Sequence, residues 1–93
     1  MAEDKTEAAK WFRQAAEQGH LEARFHLGLA CDLGDGVAED KAEAVKWYRL
    51  AAEQGHAEAR LTLGVLYDLG EGVEKDMAEA AKWFRLADEQ GQA

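Results

Sequence analysis

The chain has 93 residues, 19 of them acidic and 11 basic, for a formal net charge of −8. That balance repels phosphate backbones and anionic headgroups, which excludes nucleic acid and membrane surfaces as electrostatically steered partners. With 47% hydrophobic and 32% charged residues the composition is that of one small globular domain; the absence of serine removes a serine nucleophile, and a single Cys31 excludes an internal disulfide.

No apolar run approaches the roughly 18 residues of a membrane span, and no basic, apolar, small-residue start marks a secretory leader. The expected compartment is the cytoplasm, or that of a secreted parent if the chain is a fragment. Residues 11–19, 47–55 and 83–91 read almost alike and stand 36 residues apart. A fixed period of that size marks a solenoid, in which each repeat buries its apolar face only against its neighbours. Residues 5–40 and 41–76 are identical at 23 of 36 positions, as recent duplication or an engineered consensus produces.

Asp4 and Glu7, Asp40 and Glu43, and Asp76 and Glu79 repeat one pattern, an acidic capping box. The Asp accepts from the first free backbone amides and the Glu reaches back, for roughly 1 kcal/mol per helix. Three helices are expected to start there. In the middle copy Ala44, Trp47, Tyr48, Ala51 and Ala52 fall within an arc of about 160°, with Val45 on its edge, a stripe wide enough to touch two neighbouring elements. Glu43, Lys46, Arg49 and Glu53 fill the opposite arc, where Glu43 and Lys46 form an i,i+3 pair. Leu50 and Leu86 also lie opposite the core stripe, as isolated exposed leucines or a self-association patch. Gly19, Gly55 and Gly91 each follow the last periodic residue and are expected to end helices of about 14 residues.

A second helical pattern opens after each glycine, at His20 or His56, and runs over 21–33 and 57–69. So short a connection makes the two helices antiparallel neighbours. The core face is Ala23, Leu27, Ala30 and Cys31 in one copy and Ala59, Leu63, Leu66 and Tyr67 in the other. Gly28 and Gly64 sit inside these helices at a cost of about 1 kcal/mol relative to alanine, which close helix approach explains. The paired glycines of 34–36 and 70–72 supply a helix stop and a turn, with Val37 and Val73 tucked beneath. The chain thus reads as five helices, one alone and then two hairpin pairs.

The run Ala-x-x-x-Leu-Gly-x-x-Tyr-x-x-Gly-x-Gly-Val, then Asp, then Ala-x-x-Trp-[Phe/Tyr]-x-x-Ala-Ala-x-x-Gly, resembles the Sel1-like repeat, a relative of the tetratricopeptide repeat. Ala59, Leu63, Gly64, Tyr67, Gly70, Gly72, Val73, Asp76, Ala80, Trp83, Phe84, Ala87 and Gly91 carry it, and the same positions from Ala23 to Gly55 carry it one period earlier. The resemblance implies an all-α solenoid of antiparallel helix pairs, a right-handed superhelix like that of tetratricopeptide repeats. Residues 1–19 make a half repeat, and 20–55 and 56–91 make two full ones. Cys31 departs from the usual Tyr, and Asp88 replaces the alanine of positions 16 and 52, as a terminal helix facing water requires. Trp11 and Phe12 belong to a helix whose own repeat partner is missing.

Chemistry-bearing residues give a mostly negative reading. His26 and Cys31 lie five apart, about 140° round the helix, and cannot share a metal. His20 and His56 stand at helix starts, where a cap or a solvated imidazole is expected. Asp32, Asp35 and Asp40 lack the ligand alternation of a calcium loop. Cys31 faces the core with no histidine to generate a thiolate. No catalytic, cofactor or metal site is expected.

Binding residues are more informative. A second apolar line, Phe25 and Leu29 and then Leu61 and Val65, is flanked by Glu22, Asp32, Glu58 and Asp68. In tetratricopeptide-like stacks this side lines the concave groove, so the resemblance implies a protein-protein interaction module, an adaptor or scaffold. Its apolar strip with acidic rims suits a peptide or partner helix, amphipathic or with basic flanks. The alternative is a self-associating, engineered or excised repeat fragment with no ligand of its own, forming a homodimer through the uncapped N-terminal face.

Overall fold

The structure, a computed structural model, describes residues 2–92, with side chains from residue 5 to residue 91. Five helices follow one another: α1 (Ala2–Glu17), α2 (Leu21–Leu33), α3 (Lys41–Glu53), α4 (Ala57–Leu69) and α5 (Met77–Gln92), with no strand among the described residues. Each packs chiefly on its sequence neighbours. The result is an elongated helical-repeat solenoid of 39 × 27 × 21 Å, the shape of a stack grown along one axis.

The predicted caps hold at two of three starts. Asp40 Oδ1 accepts from the Glu43 amide at 3.0 Å, and Asp76 Oδ1 accepts from the Ala78 and Glu79 amides at 3.1 Å each. α1 instead begins at Ala2, so Asp4 lies inside the helix rather than at its cap, and its side chain is outside the described ones. The glutamate half of the box is not made at Glu43. Its carboxylate accepts from Arg13 Nη1 at 3.2 Å and from Trp47 Nε1 at 3.3 Å, so it joins α1 to α3 and forms no pair with Lys46. Glu7 and Glu79 do make the i,i+3 pair, with Lys10 at 3.7 Å and Lys82 at 3.5 Å.

Gly19 and Gly55 stop their helices at φ 91° and 97°, where a side chain would be strained. The expectation for Gly91 fails, because α5 runs through it to Gln92. The difference lies in what docks on the helix end. No helix described here has a basic residue in its last turn. The cation comes instead from the next helix: Arg24 Nε donates to Ala16 O and Arg60 Nε to Ala52 O, each at 3.0 Å. The same arginines donate to Gln54 and Gln90, at 2.9 and 3.2 Å, and those amides donate back to Gly19 O and Gly55 O. Gly91 receives no such strap among the described residues.

The two predicted core faces of α2 and α4 are buried throughout, as are Trp47, Tyr48 and Trp83. Leu50 and Leu86, read as exposed, are partly buried against this core. For Leu50 a wheel drawn for one stripe undercounts, because α3 is contacted by both α2 and α4. Gly28 and Gly64 let a ring of the paired helix lie directly on the backbone. A Cβ on Gly28 would stand 2.7 Å from the Tyr48 ring, and one on Gly64 would stand 2.7 Å from the Phe84 ring.

These two glycines should respond differently to alanine. Tyr48 is fully buried and its hydroxyl is tethered, so Gly28→Ala costs overpacking of about 1–3 kcal/mol against a helix-propensity gain of about 1 kcal/mol. Phe84 is only half-buried and can yield. Thermal unfolding should show Gly28→Ala lowering Tm by several degrees and Gly64→Ala changing it little; equal shifts would contradict this packing.

Candidate functional site

The groove-facing line falls on α2 and α4, whose seven-residue spacing from Leu61 to Asp68 keeps side chains on one face. The structure separates its two halves. Phe25 is 8% exposed, with its ring 4.5 Å from that of His56 and 5.7 Å from that of Tyr48. It is an interior residue, joining one repeat to the next. Leu29 is half-buried, whereas Leu61 and Val65 are 52% and 40% exposed.

The carboxylates divide in the same way. Glu22 Oε2 lies 3.3 Å from His56 Nε2. His56 is buried, and its Nδ1 accepts from the Ala59 amide at 3.1 Å, which leaves the ring proton on Nε2, facing Glu22. His20 caps α2 in the same way, at 3.3 Å from the Ala23 amide, but is exposed. Asp32 accepts from Lys41 Nζ at 2.7 Å and from the Tyr48 hydroxyl at 3.3 Å. Lys41 also donates to the Asp32 backbone carbonyl at 3.3 Å. Asp32, expected on a solvated rim, is therefore a structural tie. Glu58 and Asp68 stand at the equivalent positions of α4 and make no hydrogen bond or ion pair among the described residues.

Burial, reinforced by the Asp32 carboxylate, pushes the Tyr48 hydroxyl well above the usual tyrosine range, and the bond to Asp32 raises the Lys41 ammonium. Cys31 is buried and its thiol is pushed up, chiefly by desolvation, so it is held as a neutral thiol. The Cys31 departure has a visible consequence one layer away. Tyr67, at the same position of α4, draws Arg49 to its hydroxyl and against its ring, while Arg13, with no such phenol, turns to Glu43. No group of three or more His, Cys, Asp or Glu that could hold a metal occurs among the described residues, nor is any helix long and apolar enough to cross a membrane.

At the other end of the stack Trp11 is 67% exposed, against 6% for its equivalent Trp47. Between α1 and α2, Phe12, His26, Leu29 and Leu33 line an open cleft of about 230 Å³, with the Phe12 and His26 rings stacked at 5.0 Å.

Sequence reasoning missed the Arg24–Gln54 and Arg60–Gln90 straps and the tie of Lys41 and Tyr48 to Asp32. The straps left a signal: arginine and glutamine recur at one period without a role on the helical wheel. The tie left a fainter one, the change of Lys41 and Tyr48 to Met77 and Phe84.

Two measurements check these assignments. His56→Ala removes both a cap and the stack on Phe25 and should cost about 2 kcal/mol in chemical denaturation, whereas His20→Ala removes an exposed cap for about 1 kcal/mol. Unfolded tyrosine ionises near pH 10, below folded Tyr48, so the contribution of this group is complete below about pH 10 and is lost as pH rises above it. Stability should therefore fall above about pH 10, and less steeply in Tyr48→Phe.

With this geometry in place, the model of the Sel1 repeat family matches residues 1–20, 21–56 and 57–92. No curated protein matches the chain. Among solved structures it is similar to a Sel1 repeat protein from Oxalobacter formigenes, at 46% identity, TM-score 0.90, over 92% of this chain and 35% of that one. It is also similar to c5321, a protective antigen of uropathogenic Escherichia coli, at 54% identity and TM-score 0.85, over 88% of this chain and 18% of the antigen. Cysteine-rich protein B of Helicobacter pylori aligns at 26% identity and TM-score 0.85, over 89% of this chain and 62% of that chain. The chain thus spans less than two thirds of each of these three. Repeats of this kind generally mediate protein-protein interaction and serve as non-catalytic scaffold modules. The matches run from one end of the chain to the other, period by period, and the chain belongs to the Sel1 repeat family.

Proposed function

We propose that the chain is an adaptor module that performs no catalysis, needs no cofactor, and holds a peptide or partner helix along the groove face of α2 and α4. The observation that carries this reading is the exposure of Leu61 and Val65 in line with Glu58 and Asp68, two carboxylates without partners among the described residues. Apolar burial on Leu61, Val65 and Leu29 supplies affinity, and the carboxylates select against acidic partners. Phe25 and Asp32 serve the same face from beneath, as its fixed frame, and Glu22 flanks it at the surface beside His56. Co-purification from the source cell should return a partner with the wild-type chain and recover about tenfold less with Leu61→Glu or Val65→Glu, at unchanged helical signal. Equal recovery by all three proteins would sink the reading.

A second reading, homodimerisation, is favoured by the Trp11 face, since a tryptophan 67% exposed is a natural contact. Sedimentation equilibrium decides it. A dimer that Trp11→Glu converts to monomer supports self-association; a strict monomer at high concentration removes it.

A further inference from the structure

Asp32 and Asp68 occupy one backbone frame. Each is the next-to-last residue of its helix, followed by a glycine at φ 70° with ψ 38° or 39°. The residue before each accepts from the amide of the next cap, Asp40 N donating to Cys31 O at 2.8 Å and Asp76 N to Tyr67 O at 3.1 Å, which closes the same turn in both repeats. What changes is the pair of donors. Met77 replaces Lys41, keeping an unbranched stem and losing the ammonium, and Phe84 replaces Tyr48, losing only the hydroxyl. The space around the carboxylate is kept while both donors are gone.

The electrostatics make this loss matter. A carboxylate at the C-terminal end of a helix sits at the negative pole of the backbone dipole, the unfavourable end for an anion. In α2 the Lys41 ammonium offsets both charges at once, reaching the Asp32 carboxylate and its backbone carbonyl. In α4 no basic residue lies in the last turn, and Asp68 is half-buried with no ion pair among the described residues. Lys75, the nearest cation in sequence, stands where α2 is followed by Glu39, is exposed, and makes no ion pair either. Leu61, Val65 and Leu69 of the same helix, and Met77 at the start of the next, are exposed.

We propose that Asp68 is a seat for a cation supplied by the partner: a lysine or arginine side chain takes the place that the Lys41 ammonium holds on Asp32, while apolar residues beside it cover Leu61 and Val65. This rests on the groove reading above and adds to it a residue, a charge and a register. It also gives the two repeats different roles, since the seat in the first repeat is filled from within. A chain of net charge −8 steers such a basic amphipathic segment toward itself.

The test titrates the full chain, isotopically labelled, with an N-acetylated amphipathic peptide of leucine and lysine at helical spacing, and with its leucine–glutamate counterpart, following amide shifts by NMR. The lysine peptide should bind with shifts centred on Val65, Asp68 and Met77, and the glutamate peptide should not. Asp68→Asn and Met77→Lys should each weaken binding by about tenfold, the first by removing the seat and the second by filling it. Lys75→Ala should leave affinity within about twofold. Met77→Lys should also raise Tm, a readout independent of any peptide. Wild-type affinity in both Asp68→Asn and Met77→Lys, with loss in Val65→Glu, overturns the seat and leaves the groove. Binding unaffected by Val65→Glu, or no binding at all, overturns both; a manyfold gain in Lys75→Ala shows the seat occupied from within and overturns its vacancy.

Discussion

Everything in this stack depends on two aromatic rings pressed onto two glycines. Tyr48 on Gly28 and Phe84 on Gly64 set how near the helices of a pair approach, and that distance decides what else can meet. The alanines of α3, Ala51 and Ala52, are fully buried because only a methyl fits between layers so close. On its other side each of α2 and α4 sends an arginine to the end of the helix before it. Remove the glycine and the ring must move, and with it the phenol that holds Asp32 in place.

Repetition in this chain is therefore a frame on which departures become readable. Identical backbone geometry at Gly34 and Gly70 means that differences between the repeats are differences of side chain alone. Cys31 against Tyr67 redirects an arginine one layer away, and Lys41 with Tyr48 against Met77 with Phe84 decides whether an aspartate is spent internally or left open. Phe25 against Leu61 makes the same division in apolar terms, the ring enclosed between repeats and the leucine left in water. The first repeat ties these side chains into the stack, and in the second the equivalent positions are exposed or, among the described residues, make no ion pair.

Most of the fold was legible in the sequence because it rests on local physics. The 36-residue period, the caps at Asp40 and Asp76, the glycine stops after α1 and α3 and the buried faces of α2 and α4 all follow from residues within one or two turns of each other. The failures share a cause of the opposite kind. Glu43 is claimed by Arg13, thirty positions away, rather than by its own helix start, and Leu50 and Leu86 are covered by neighbouring elements that a single wheel omits. Gly91 carries the same local signal as Gly19 and Gly55 and does not stop its helix, and no arginine docks there among the described residues. The candidate site was legible as a face and not as a list: the spacing of Leu61, Val65 and Asp68 placed them together, while only the structure shows that Phe25 is interior and that Asp32 is tied to Lys41 and Tyr48.

The arginine–glutamine straps fix something about the length of such a molecule. Each joins a helix end to residues about one period away and to nothing farther, so coupling passes only between adjacent repeats. Excising or inserting a segment of 36 residues, in phase, would return every strap to an equivalent partner, whereas a change of any other size would strand an arginine on the wrong carbonyl. Length in this architecture is quantised, and binding faces can be added, lost or individually altered in whole units without renegotiating the rest of the protein.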